Sequence, residues 1–185
     1  RFSRLGLVTD ADWIDLTGDG QRELVVVGEW MSPLAYRFVD GRFEKLSSNL
    51  GDYPGWWYSL AHADLDGDGD EDLFLGNLGE NFYLRTDAEY PLKLWMNDFD
   101  QNGSVDKVIT RTIAGRDMPV PLKKDLAEQV VALKKQNLRH ESYADKAIQD
   151  LFSEAGIREA IVKQANYLSS SVAINQGNGR FELRP

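Results

Sequence analysis

Short apolar runs alternate along most of the chain with clusters of Asp, Gly and Asn. Glu23-Leu-Val-Val-Val-Gly28, Asp72-Leu-Phe-Leu-Gly76 and Asp106-Lys-Val-Ile-Thr110 are brief, partly β-branched and bounded by turn residues, so they predict buried strands. The segments Leu7–Asp15, Trp57–Asp64 and Leu92–Asp98, just upstream, also predict extended chain. Ala35–Glu44 and Val172–Glu182 carry glycine-containing turns between apolar positions and predict hairpins. From about Arg111 the rhythm changes. Pro119 and Pro121 lead into Leu122, Leu126, Val130 and Leu133, a helical spacing. Ala144, Ala147, Ile148, Leu151 and Phe152 suggest a second helix. Ser153 is placed to cap a third, with Ile157, Ala160, Ile161 and Ala165 on one face. The expected organisation is strands over residues 1–110, a helical insertion over 111–168 and a closing β-hairpin over 169–185.

Between the strands one motif occurs three times: Asp15-Leu-Thr-Gly-Asp-Gly-Gln-Arg-Glu23, Asp64-Leu-Asp-Gly-Asp-Gly-Asp-Glu-Asp72 and Asp98-Phe-Asp-Gln-Asn-Gly-Ser-Val-Asp106. Oxygen-bearing side chains stand at positions 1, 3, 5 and 9: Asp15, Thr17, Asp19 and Glu23; Asp64, Asp66, Asp68 and Asp72; Asp98, Asp100, Asn102 and Asp106. A glycine at position 6 (Gly20, Gly69, Gly103) allows a sharp turn. Gln21, Asp70 and Ser104 at position 7 would each contribute a backbone carbonyl. This is how a chain wraps a hard, oxygen-seeking cation, and Ca2+ is the expected ion, up to three per chain. An EF-hand is excluded at position 12, where a bidentate Glu is required and Val26, Leu75 and Ile109 stand instead. Ligand charge orders the loops as central, third, first.

Charge supports the same reading. The net charge is −9, yet ten of the 30 acidic residues lie at those loop positions, leaving 20 against 21 lysines and arginines. Acidity gathered into loops points to cations and disfavours a nucleic-acid partner. The absence of cysteine excludes disulfides, thiolate zinc sites and a cysteine nucleophile. No apolar run reaches the roughly 18 residues of a membrane helix.

The three loops, the tails Val27-Gly-Glu-Trp30 and Gly76-Asn-Leu-Gly79, and Asn175-Gln-Gly-Asn-Gly-Arg-Phe181 resemble VCBS/FG-GAP repeats, the calcium-bearing blades of integrin-α-like propellers. The Gly55-Trp-Trp-Tyr-Ser-Leu60 run and the helical stretch resemble an exported bacterial subgroup close to cartilage-acidic-protein-like sequences. The resemblance implies a mainly β fold. Setting aside the 58 residues of the insertion leaves 127 of 185, about three blades at ~40–45 residues each. Closed propellers have ~4–8 blades, so the expectation is a partial β-propeller with Asp-rich calcium loops, the remainder lying in a larger propeller. The resemblance further implies an extracellular, cell-surface or periplasmic location, with the export signal outside this chain.

Function then divides between a non-catalytic adhesion or ligand-binding scaffold, with a protein or glycan partner, and an accessory domain of a carbohydrate-active enzyme or a calcium-dependent hydrolase or lyase. No catalytic residue is assigned: His62 and His140 lack a visible nucleophile, and no phosphate-cradling glycine motif is present. Trp13, Trp30 and Trp95 are expected in the core. Trp56 and Trp57 follow Tyr53-Pro-Gly55 and point to opposite sides, so one of them is a candidate ligand-stacking surface.

Overall fold

In the computed structural model, which describes residues 5–131, 133 and 141–185, the apolar runs fold as antiparallel strands. In chain order these are β1 (Leu7–Ile14), β2 (Glu23–Met31), β3 (Leu34–Val39), β4 (Arg42–Lys45), β5 (Gly55–Ala63), β6 (Asp72–Asn77), β7 (Leu92–Asn97), β8 (Asp106–Ile113), β9 (Arg116–Pro119), β10 (Ile161–Ala165), β11 (Ser171–Asn175) and β12 (Phe181–Arg184). The chain divides into two compact units, Arg1–Arg85 with Ala165–Pro185, and Thr86–Gln164.

In the first unit, β1 to β4 pair in succession. A second set runs β5-β6-β11-β12, so the hairpin β11–β12 completes the sheet begun by β5 and β6. The far end of β2 also pairs with β5, through Glu29↔Trp56 and Met31↔Gly55, which links both sets into one eight-stranded sheet. The register slips between those pairs, at Trp30, whose φ is 57°. A bulky residue at positive φ is costly and persists only where packing fixes it. Here the ring of Trp30 is buried and lies 4.8 Å, centroid to centroid, from that of Trp56. Gly28 lets β1 approach: a Cβ there would stand 2.3 Å from the Leu7 carbonyl oxygen. Ile14, Leu16, Val25, Val27, Ala35, Leu50, Trp57, Leu73, Leu75, Ala173 and Phe181 share one core.

The second unit has its own four-stranded sheet, ordered β10-β7-β8-β9. Among the described residues its helices are short: α1 (Lys123–Gln129), α2 (Glu141–Ala144), α3 (Ile148–Leu151) and α4 (Glu154–Glu159). Leu126, Val130, Leu133, Ile148 and Leu151 pack with Trp95 and Val108 of the strands to form a separate core. These helices therefore build the interior of their own sheet.

The range 111–168 differs from its reading as purely helical. β8 crosses the boundary at 110, β9 lies wholly within the range, and Ile161–Ala165 is a strand beside β7. Ile161 and Ala165 do fall at helical spacing, but β-branched Ile161 and Val162 pair with an available sheet edge, and tertiary pairing overrides the local pattern. The helix expected across Ala144–Phe152 is two short turns. Ser153 caps α4 as expected, its hydroxyl accepting from the Gly156 N–H at 3.1 Å. His140 lies outside the described residues. Among the described residues no helix is long and apolar enough to cross a membrane.

Candidate metal centre

Each acidic loop joins the end of one strand to the start of the next, and the same three hydrogen bonds recur in all three. The carboxylate at position 1 accepts from the glycine N–H at position 6: Asp15 Oδ2 from Gly20 at 2.8 Å, Asp64 Oδ2 from Gly69 at 3.1 Å, and Asp98 Oδ2 from Gly103 at 2.8 Å. The side chain at position 5 accepts from the N–H at position 7: Asp19 from Gln21, Asp68 from Asp70 and Asn102 from Ser104. The carboxylate at position 9 accepts from the N–H at position 2: Glu23 from Leu16, Asp72 from Leu65 and Asp106 from Phe99. The position-6 glycines all have positive φ, at 80°, 96° and 89°, as the sharp turn requires. Position 4 is left-handed too, occupied by Gly18 and Gly67 but by Gln101 in the third loop.

The strand-start carboxylates are the most buried members. Glu23, Asp72 and Asp106 have relative exposures of 0%, 0% and 2%. In the third loop, Asp98, Asp100 and Asp106 offer carboxylate oxygens that all lie within 4.8 Å of one another. In the central loop Asp64, Asp66 and Asp68 do so. Burial raises the Asp106 carboxyl above its ordinary range, helped by repulsion from Asp100 and Asp98 and opposed by the Phe99 N–H. Asp66 is raised for the same first reason, with repulsion from Asp68 next. Carboxylates pushed toward their protonated forms by one another and by burial are what a bound divalent cation would relieve. Asp100 Oδ1 is also buried with no hydrogen-bond partner, a lone pair left over for a ligand. The donor set, all oxygen and anionic, fits Ca2+ in the second and third loops.

The first loop is different. Arg37 on β3 extends its guanidinium among the side chains that would otherwise hold the cation. Its Nε donates to Glu23 Oε1 at 2.9 Å, and Nη2 lies 2.8 Å from that same oxygen. Nη2 also donates to Thr17 Oγ1 at 2.9 Å and lies 3.1 Å from Asp19 Oδ2. Glu23 is the main cause of the raised Arg37 pKa.

Sequence reasoning missed Arg37, and it missed Asn175 as well. Asn175 is buried at the end of β11 and its backbone N–H donates to Asp72 Oδ1 at 2.7 Å. Its Nδ2 donates to the Leu16 carbonyl at 2.9 Å and to the Glu71 carbonyl at 3.3 Å, stitching the first loop to the second. The available signal was its place at the head of the Asn-Gln-Gly-Asn-Gly turn.

The tryptophans divide unevenly. Trp57 is fully buried, with Nε1 donating to the Tyr53 carbonyl, so it offers no ligand surface. Trp56 is half-buried against Trp30. Trp13, expected inside, is 41% exposed, because β1 is uncovered on both faces along most of its length; its ring lies 6.0 Å from that of Phe43. His62 sits between carboxylates, Nδ1 2.8 Å from Glu71 and Nε2 3.6 Å from Asp12.

Antiparallel sheets punctuated by acidic strand-to-strand loops of one recurring form are a repeat architecture. A family model for the FG-GAP-like repeat matches residues 15–75, from the first ligand position of the first loop to β6 beyond the second. That segment is an FG-GAP-like repeat, and the mainly β, antiparallel architecture agrees with a partial propeller-like FG-GAP fold. The third loop and its sheet lie outside the matched range. No curated protein and no solved structure shows significant similarity to the chain.

Proposed function

We propose that this chain is a calcium-stabilised, non-catalytic propeller segment of an exported bacterial protein, acting outside the cytoplasm as an adhesion or ligand-binding scaffold. One observation carries the reading: the second and third loops share a hydrogen-bonded frame, and each gathers three carboxylates within 4.8 Å. Asp64, Asp66 and Asp68 in one, and Asp98, Asp100 and Asp106 in the other, are the side chains that would hold the ion. FG-GAP repeats occur mostly in extracellular or surface proteins and are generally non-catalytic, which supports the location and the absence of catalysis. The metal would be structural, its binding energy adding directly to folding. The surface that meets a protein or glycan partner lies elsewhere than Trp57.

The test is calorimetric titration of chelator-treated protein with calcium chloride, alongside thermal melting. At a calcium concentration 100-fold above Kd, each site adds about 2.7 kcal/mol. For a chain of this size that is roughly 5–10 °C in Tm per site, if the chain melts as one cooperative transition. No binding heat and an unchanged Tm would end the calcium reading.

A further inference from the structure

We propose that Arg37 is the resident cation of the first loop, which therefore closes without metal, and that removing the guanidinium turns this loop into a calcium site. Three observations carry it. The loop has the same backbone frame as the other two, down to the Asp15–Gly20, Asp19–Gln21 and Glu23–Leu16 hydrogen bonds. The Arg37 guanidinium touches Thr17, Asp19 and Glu23, the side chains at positions 3, 5 and 9, where a cation's ligands belong. And the carboxylate clusters within 4.8 Å, among the described residues, occur at the second and third loops.

The strand register explains why this loop is filled in this way and the second is not. With Leu24 opposite Tyr36, the next residue pair places Arg37 across from Glu23. In the β5-β6-β11-β12 set, Leu73 opposite Ala173 places Ile174 across from Asp72. An apolar side chain there supplies no charge, so the buried Asp72 depends on backbone donors. Glu23 adds a methylene, which lets one oxygen accept from Leu16 while the other meets Arg37. Thr17 replaces a carboxylate at position 3, which matches the smaller charge of a guanidinium against a divalent ion. A guanidinium is planar and makes directed hydrogen bonds near 2.9 Å, whereas calcium needs six to eight oxygens at ~2.3–2.6 Å. The two cannot share the loop. Asp15 Oδ1, buried without a partner, is the ligand position Arg37 leaves uncovered.

The inference rests on reading the loop frame as a cation cage, and a loop-by-loop readout separates it from the calcium reading of the other loops. The position-6 glycine amides Gly20, Gly69 and Gly103 report one loop each in a nitrogen–proton correlation spectrum. Calcium chloride added to chelator-treated wild type is expected to move Gly69 and Gly103 and leave Gly20 in place. In Arg37→Met, Gly20 is expected to move as well. A calcium-dependent Gly20 shift in wild type overturns the proposal, and this arm needs no variant. A folded Arg37→Met whose Gly20 ignores calcium overturns it too. So does an Arg37→Met protein that stays unfolded with and without calcium, because a vacated cage should accept the replacement ion; refolding on calcium addition supports it. If Gly69 and Gly103 never respond while Gly20 responds only in the variant, the calcium reading of the other loops falls and the proposal stands.

Discussion

Replacing Asp106 by Asn isolates what the buried carboxylate at the start of β8 costs and what it supplies. The amide keeps the shape and can still accept from the Phe99 N–H, now 2.9 Å from Oδ2. What disappears is one negative charge facing Asp98 and Asp100, all within 4.8 Å. Two unit charges at that separation repel by ~0.9 kcal/mol in bulk water and ~3.5 kcal/mol at an effective dielectric of 20. Asp98 and Asp100 are half-buried and screened by salt, so the low end applies, about 1 kcal/mol per pair. In chelator at neutral pH, Asp106→Asn should therefore be more stable than wild type by about 1–2 kcal/mol. The sign depends on pH. Because the folded Asp106 carboxyl is raised, the native protein binds more protons than the unfolded chain just above the ordinary Asp value. Metal-free wild type thus loses stability as pH rises through that window. The advantage of the variant should vanish below about pH 4 and be complete above the raised value. Saturating calcium reverses the order, since the third loop then contributes about 2.7 kcal/mol at 100-fold excess over Kd in wild type alone. Differential scanning calorimetry with and without calcium, at two pH values, measures all of this. A variant less stable than wild type in chelator at neutral pH, with an undiminished calcium response, would refute the reasoning.

Two further outcomes follow from the loop geometry. Asn175→Ala removes donors to the Leu16 and Glu71 carbonyls and the acceptor for the Gly177 N–H, in a buried setting. It should cost about 2–4 kcal/mol in urea unfolding, and a loss under 0.5 kcal/mol would show the stitch to be idle. Gln101 holds φ at 59° where the other loops have glycine, so Gln101→Gly should be neutral to ~1 kcal/mol stabilising in chelator melts, and a clear loss would contradict the strain.

The loops were legible in the sequence because everything that shapes them is local: ligands, turn glycine and the following strand fall within about a dozen residues. The buried strands after them, Leu73 and Leu75 or Val25 and Val27, were legible for the same reason. Arg37 was not, because it reaches Glu23 from 14 residues away through a hairpin register that only pairing fixes. Nor was Asn175, bonded to Leu16 at a separation of 159 residues. Trp57, after Pro54-Gly55, reads in the sequence as one of two candidate stacking surfaces. It is the third residue of β5 and fully buried, with its ring stacked on Tyr167, 5.8 Å away. Helical spacing at Ile161 and Ala165 was real but lost to a free sheet edge.

Asp72 shows how the β5-β6-β11-β12 set tolerates a 79-residue interruption between β6 and β11, from Thr86 to Gln164. One of its oxygens accepts from Leu65 inside the loop and the other from Asn175, 103 residues on. The loop carboxylate is thus also the anchor of the closing strand. Closing a long connection costs little more than closing a short one, about 0.6 kcal/mol for each doubling of length. The segment between also has a core of its own, around Leu126, Val130 and Ile148, so it need not borrow apolar surface from the sheet it interrupts. Closure should then depend on the β6–β11 pairing and the Asp72–Asn175 contact rather than on what lies between. Replacing residues 86–164 with a flexible Gly/Ser linker should leave a folded first unit whose Gly69 amide still responds to calcium as in the full chain. If that unit unfolds, or its calcium response weakens more than tenfold, the interrupting segment is part of the fold it interrupts, and closure is not set by Asp72.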